Sequence, residues 1–154
     1  MHPPIAWLLF GTMRLMHPLL IDIPGGLATE LFVGGRGRPV LAVHGTPSLA
    51  ETMRPFLDVA HDRPRAAVDL PGHGRTPGIE LEGDALLDEL ARRVLTTLDG
   101  LGWSSCVGVG HSGGCTILYR AALMDPSRFS SFLFAGPVSG TRSRVGLSGG
   151  LLRA

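Results

Sequence analysis

The chain has 154 residues, 44% of them hydrophobic, and a formal charge of +1, enough for one domain with a buried core. The balanced charge, carried on its basic side by scattered arginines with no lysine, gives no electrostatic case for nucleic acid or an anionic membrane. Cys106 and Cys115 are the only cysteines and fall in neither a Cys-x-x-Cys nor a zinc pattern, so no metal site and no disulfide framework are expected.

Ile5 to Phe10 is apolar but too short to cross a bilayer, and Arg14, His17 and Pro18 interrupt it. No basic stretch precedes it, as a secretory signal requires. Residues 1–17 therefore read as an N-terminal extension, and the protein as cytoplasmic. Leu19 to Ile23 and Thr29 to Val33 then read as two short strands joined around Pro24-Gly25-Gly26, a hairpin. After a Gly- and Arg-rich turn, Val40 to Val43 is a continuous apolar run, the pattern of a strand covered on both faces.

Ser48 with Glu51 three residues on predicts a capping box and a helix start, which Pro55 should kink or delay. Ala66 to Leu70 reads as the next strand, ending in a loop with Pro71, Gly72, Gly74 and Pro77. From Asp84 to Leu98 the apolar positions Leu87, Leu90, Ala91, Val94, Leu95 and Leu98 form one helical stripe. Trp103 to Val109 predicts a third buried strand. Ile117, Leu118, Ala121 and Ala122 mark a helix that stops at Asp125-Pro126, and Ser131 to Ala135 predicts a fourth strand. Alternating strands and helices of this kind predict an α/β fold with a mostly parallel, doubly wound sheet. Residues 138–154 are Ser-, Gly- and Arg-rich without periodicity, a pattern that fits an irregular tail and a shifted reading frame equally well.

The chemistry sits at two strand ends. Gly110-His111-Ser112-Gly113-Gly114 matches G-x-S-x-G between a buried strand and a helix. That context is the one a nucleophile elbow requires: a tight turn lifts the hydroxyl of Ser112 to the carboxyl ends of the strands. Upstream, His44-Gly45-Thr46-Pro47 closes the first buried strand. Acyl transfer needs donors aimed at a developing oxyanion, and backbone N–H groups serve because they need no reorganisation. The expected pair is Gly113, the residue after the nucleophile, and Thr46. His44, Gly45 and His111 are secondary candidates for contact with a substrate, although neighbours on a sharp turn point apart and nothing near His44 in the sequence fixes its tautomer.

These motifs, with Asp69-Leu70-Pro71-Gly72-His73-Gly74-Arg75-Thr76, resemble the α/β-hydrolase superfamily in its HGxP and G-x-S-G-G branch. The resemblance spans about residues 28–137 and implies a partial hydrolase domain over 18–137, cut before the last strands. It implies a serine hydrolase acting on a small molecule with a hydrolysable carbonyl bond, without metal or organic cofactor, and a structural rather than catalytic role for Asp69 and His73. Family members order the triad as nucleophile, acid, histidine. Here Asp125 is the one carboxylate after Ser112, and no histidine follows. A serine without a base is a weak nucleophile, so the expectation is a poor hydrolase on its own. A non-catalytic binding protein and a neighbouring chain supplying the missing groups are the competing readings. A sheet ending at Ala135 also predicts an exposed edge and self-association.

Overall fold

The computed structural model describes residues 17–137; the expected N-terminal extension, but for His17, and the irregular tail at 138–154 lie outside the described residues. Six strands form one sheet: β1 (Leu19–Asp22), β2 (Ala28–Phe32), β3 (Val40–Val43), β4 (Arg65–Asp69), β5 (Cys106–His111) and β6 (Phe129–Ala135). Their spatial order is β1-β2-β4-β3-β5-β6. The hairpin β1–β2 is antiparallel and β2 also runs antiparallel to β4, whereas β3, β4, β5 and β6 are parallel to one another. The mostly parallel α/β sheet is therefore the one the alternating elements predict.

Side-chain alternation along the central strands builds a core on each face. Leu41 and Val43 of β3, with Ala66 and Val68 of β4, join the larger core, under two helices, α2 (Gly83–Leu101) and α3 (Gly113–Met124). Val40, Ala42 and Ala67 face the other way, against Met53 and Leu57 of the segment that contains α1 (Arg54–Asp58). The small alanines on that face leave room for a short helix to lie close. In α2, Leu90, Ala91, Val94, Leu98 and Leu101 are buried at helical spacing. The helix ends at Gly102, which is left-handed at φ 70° as a helix-terminating glycine commonly is.

Several boundaries differ from expectation. The predicted capping box does not form: Ser48 hydrogen-bonds the hydroxyl of Thr52. The chain instead enters a 3-10 turn at Ala50–Met53 with no cap from its own N-cap side chain. The amide of Ala50 donates across the fold to Asp69 Oδ1 at 2.8 Å, so a carboxylate nineteen residues away does the capping. Pro55 lies in the first turn of α1, where its missing N–H costs no helical bond. Strand β5 begins at Cys106 rather than Trp103, because α2 continues to Leu101 and the amide of Trp103 closes that helix by donating to the carbonyl of Leu98. At the other end, β6 opens at Phe129.

The order of the strands positions the site. From β3 the chain moves to β4 on one side and later to β5 on the other, so the connections diverge at the carboxyl ends of β3 and β5. Such a switch point leaves a crevice in open α/β sheets. Val43, the last residue of β3, lies opposite Gly110 of β5, and the two sequence motifs begin immediately beyond.

Candidate active site

Ser112 joins β5 to α3 in a conformation that L-residues rarely adopt, φ 51° and ψ −119°. Among the described residues it is the one non-glycine with positive φ. Backbone strain of about 1–3 kcal/mol persists only where the surroundings hold it. Here the holding groups are identifiable. The amide of Ser112 donates to the carbonyl of Ala135 at 2.9 Å, and the carbonyl of Ser112 accepts from the amide of Cys115 at 3.0 Å. Cys115 Sγ also leans on the Ala135 carbonyl at 3.7 Å. The C-terminal end of β6 thus buttresses the turn from outside the motif.

The glycines of the motif are fixed by close approach. A methyl group at Gly110 would lie 2.8 Å from the backbone of Cys115, and one at Gly114 would lie 2.1 Å from the carbonyl oxygen of Val43. The start of α3 therefore packs directly against the end of β3. Gly45 is subject to the same constraint from the opposite side: a methyl there would stand 2.7 Å from Ser112 Cβ and 3.3 Å from its Oγ. The backbone of the His44–Pro47 segment therefore runs immediately beside the serine side chain. Gly113 and Gly114 open α3, where a helix leaves its first amides without intrahelical partners. The Thr46–Pro47 peptide is cis, and the hydroxyl of Thr46 is buried without a hydrogen-bond partner among the described residues.

His44 is fully buried. The amide of Leu70 donates to its Nε2 at 3.0 Å, so that nitrogen carries no proton; Nδ1, 2.7 Å from the carbonyl of Gly45, is the donor. The tautomer is fixed, contrary to expectation, by a backbone amide twenty-six residues further along the chain. With both ring nitrogens engaged by backbone, His44 has none left for a substrate. Burial, partly offset by the bond to Gly45, lowers its pKa below the ordinary 6.5. His111 is exposed, and the centroid of its ring lies 6.3 Å from that of Phe56.

Asp69, buried at the end of β4, accepts from the amides of Ala50 and Arg75. Gly74 follows from this: a methyl there would collide with the carboxyl group at 2.3 Å. Asp69 is thus a structural clamp between the loop after β3 and the loop after β4, as its motif implies. Its capping of Ala50 is invisible locally, because the spacing in sequence obeys no short-range rule. The buttressing carbonyl of Ala135 had no sequence signal at all. Asp125 caps the short turn Pro126–Arg128 by accepting from the amide and hydroxyl of Ser127, so it is engaged at the far end of α3. Both cysteines are free and buried, and burial pushes the Cys106 thiol up to about 12. No group of three or more metal-ligating side chains occurs among the described residues.

Residues 40–153 match the model of the Alpha/beta hydrolase family. The chain is 34% identical over 116 residues to the dihydrolipoyllysine-residue acetyltransferase component of an acetoin cleaving system from Pseudomonas putida, covering 74% of this chain and 31% of that protein. It is 35% identical over 111 residues to an epoxide hydrolase from Caballeronia sordidicola, covering 69% and 33% of the two. Among solved structures, a Bacillus megaterium epoxide hydrolase bound to an inhibitor superposes with a TM-score of 0.63 at 25% identity, over 77% of this chain and 42% of that one. A Rhodococcus 2-hydroxy-6-oxo-6-phenylhexa-2,4-dienoate hydrolase superposes with a TM-score of 0.68 at 24% identity, over 82% and 50%, a likeness of fold. The chain thus spans about a third of the length of these two curated relatives.

Proposed function

Because the chain belongs to the alpha/beta hydrolase family, we propose that it carries the nucleophile-bearing front half of a serine hydrolase, with Ser112 as the attacking group. The observation that carries this reading is the strained backbone of Ser112 at a strand-to-helix turn, pressed against Gly45 of the neighbouring loop. A positive φ at a non-glycine residue is costly, and such strain concentrates where a side chain must be presented. Ser112 Oγ would attack a carbonyl carbon, and the oxygen would take up negative charge beside the amides of Gly113 and Thr46. The electropositive start of α3 favours that charge. The serine proton would pass to a base and then to the leaving alkoxide or amine, with water releasing the acyl group.

The acid and base come from outside the residues described. Both nitrogens of His44 are engaged, Asp125 serves a remote turn, and no histidine follows Ser112 in the 154 residues. They would lie in further chain or in a neighbouring subunit. Residues 18–137 are accordingly assigned as the partial hydrolase domain, flanked by the extension and the tail. The substrate would be a small ester or amide. Epoxides, which the names of several relatives specify, form the comparison class in an assay. No described helix is long and apolar enough to cross a membrane, and a cytoplasmic location remains our assignment. The terminal strand β6, with Phe132 and Leu133 exposed, supports self-association through the sheet edge.

A non-catalytic ligand-binding protein is the second reading, favoured by the prior engagement of His44 and Asp125. Reaction of the purified protein with a fluorophosphonate, followed by intact mass, separates the two. A single adduct lost in Ser112→Ala supports the hydrolase. An unreactive Ser112, also when the protein is supplied with the downstream half of a relative, supports binding.

A further inference from the structure

His44 belongs to the motif that begins the loop after β3, yet its two ring nitrogens bond Gly45 and Leu70 rather than Ser112. Its two bonds have a directional consequence. Nδ1–H holds the carbonyl of Gly45 at 2.7 Å, and the amide of Leu70 holds Nε2 at 3.0 Å. The Gly45–Thr46 peptide is trans, since the cis bond in this segment is Thr46–Pro47. In a trans peptide the carbonyl and the following N–H point in opposite directions. Turning the Gly45 oxygen inward to His44 therefore turns the Thr46 N–H away from His44. The ring also ties this peptide to the start of the loop after β4, which the clamp at Asp69 holds to the same region.

We propose that His44 is a positioning residue that sets the direction of the Thr46 amide, and that it does so only while its ring is neutral. The inference rests on reading Thr46 as an oxyanion donor. The neutral ring is the form able to accept from Leu70. A protonated ring carries N–H at both positions, so Nε2–H would face Leu70 N–H, donor against donor, at a fully buried ring. The ring would have to move and would carry the Gly45 carbonyl with it. The titratable groups around it are Asp69 at the end of β4, His73 in the following loop and His111 at the end of β5. His73 lies edge-on at 5.2 Å between ring centroids. The Asp69 carboxylate, which would favour a charged ring, already receives two backbone amides. Burial works against charging as well, so the neutral pin is the resting state and acidification is what releases it.

The test is a nitrogen-15 NMR titration of the intact chain with labelled histidine and backbone. At pH 7.5 His44 should give the signature of the neutral Nδ1–H tautomer. On acidification it should titrate below 6.5, and the amide signals of Leu70 and Thr46 should shift with the same midpoint. Across that midpoint, exchange of the Leu70 amide should accelerate by about tenfold beyond its intrinsic pH dependence, the effect of losing one buried hydrogen bond. In His44→Gln, whose amide accepts but does not titrate, the Leu70 and Thr46 shifts should lose that midpoint. A ring in the other tautomer, a midpoint at or above 6.5, or amides of Leu70 and Thr46 indifferent to it would each overturn the proposal. Fluorophosphonate labelling is read separately. Ser112 reactive at neutral pH with an NMR failure sinks this inference alone, whereas the predicted titration with a Ser112 that stays inert even beside the downstream half of a relative sinks the hydrolase reading.

Discussion

Replacing Gly114 by alanine pits two effects of opposite sign against each other. Gly114 lies in the first turn of α3, and alanine there should raise helix stability by up to about 1 kcal/mol if space allowed. Space does not allow it. The new methyl would meet the Val43 carbonyl oxygen at 2.1 Å, its carbon at 2.7 Å and the His44 carbonyl oxygen at 2.8 Å. All three are backbone atoms of the central strand or its immediate continuation, so no rotamer change relieves the clash, and α3 must retreat by roughly an ångström to reach normal contact distance. Overpacking of this kind costs about 1–3 kcal/mol, and a backbone neighbour places it at the upper end. The net expectation is about 2 kcal/mol of destabilisation. With an m-value of about 2 kcal/mol per molar, the urea midpoint falls by about 1 M. The retreat also draws Ser112 and Gly113 away from Gly45, so fluorophosphonate labelling should fall along with stability. Gly78→Ala is the control: its nearest neighbour would be 3.8 Å away and its φ is not in the left-handed region, so its midpoint should stay within about 0.5 kcal/mol of the parent. A Gly114→Ala protein as stable as the parent, or more so, would refute the close contact between β3 and α3 on which the site's geometry depends.

Asp69→Ala should cost about 2–4 kcal/mol in urea unfolding, because it strips the acceptor from two amides, Ala50 and Arg75; Asp69→Asn, which keeps one acceptor oxygen but turns its NH2 donor toward the other amide, should lose a similar amount. Arg54 donates twice to Glu30, whose side chain on β2 is only 11% exposed, so Arg54→Met should destabilise by about 1–3 kcal/mol and Glu30→Gln in the same background should recover part of it. His44 contributes a pH dependence whose sign follows from its lowered folded pKa. Its contribution is complete above the unfolded value of about 6.5 and is lost as the pH falls below that toward the folded value; urea midpoints at pH 7.5 and 5.5 should therefore differ more in the parent than in His44→Gln. Cys106, fully buried and with its thiol raised to about 12, should resist iodoacetamide at pH 8 until urea unfolds the chain, as followed by peptide mass mapping.

The sheet was readable because its signals are local. Unbroken apolar runs such as Val40–Val43 and the stripe of α2 need no distant partner to be recognised, and the strand-motif-helix context of Ser112 marks the turn where β5 passes into α3. What escaped were effects carried by residues far apart in the chain. Ser48 and Glu51 have the spacing of a capping box, yet the Ala50 amide is taken by Asp69 from the next strand. Nothing near His44 in the sequence fixes its tautomer; the Leu70 amide that does so arrives only when β3 and β4 pair side by side. The carbonyl of Ala135 that holds the Ser112 amide belongs to an edge strand with no motif. Glycines were legible as tight points, but which atom each one faces, such as Val43 for Gly114, is a property of packing between elements.

The most direct measurement is a crystal structure of the protein after reaction with a small phosphonate ester. The account predicts a single covalent bond to Ser112 Oγ, with the phosphoryl oxygen about 2.7–3.1 Å from the amide nitrogens of both Thr46 and Gly113. An adduct on another residue, or a phosphoryl oxygen turned to solvent away from those two amides, would contradict it.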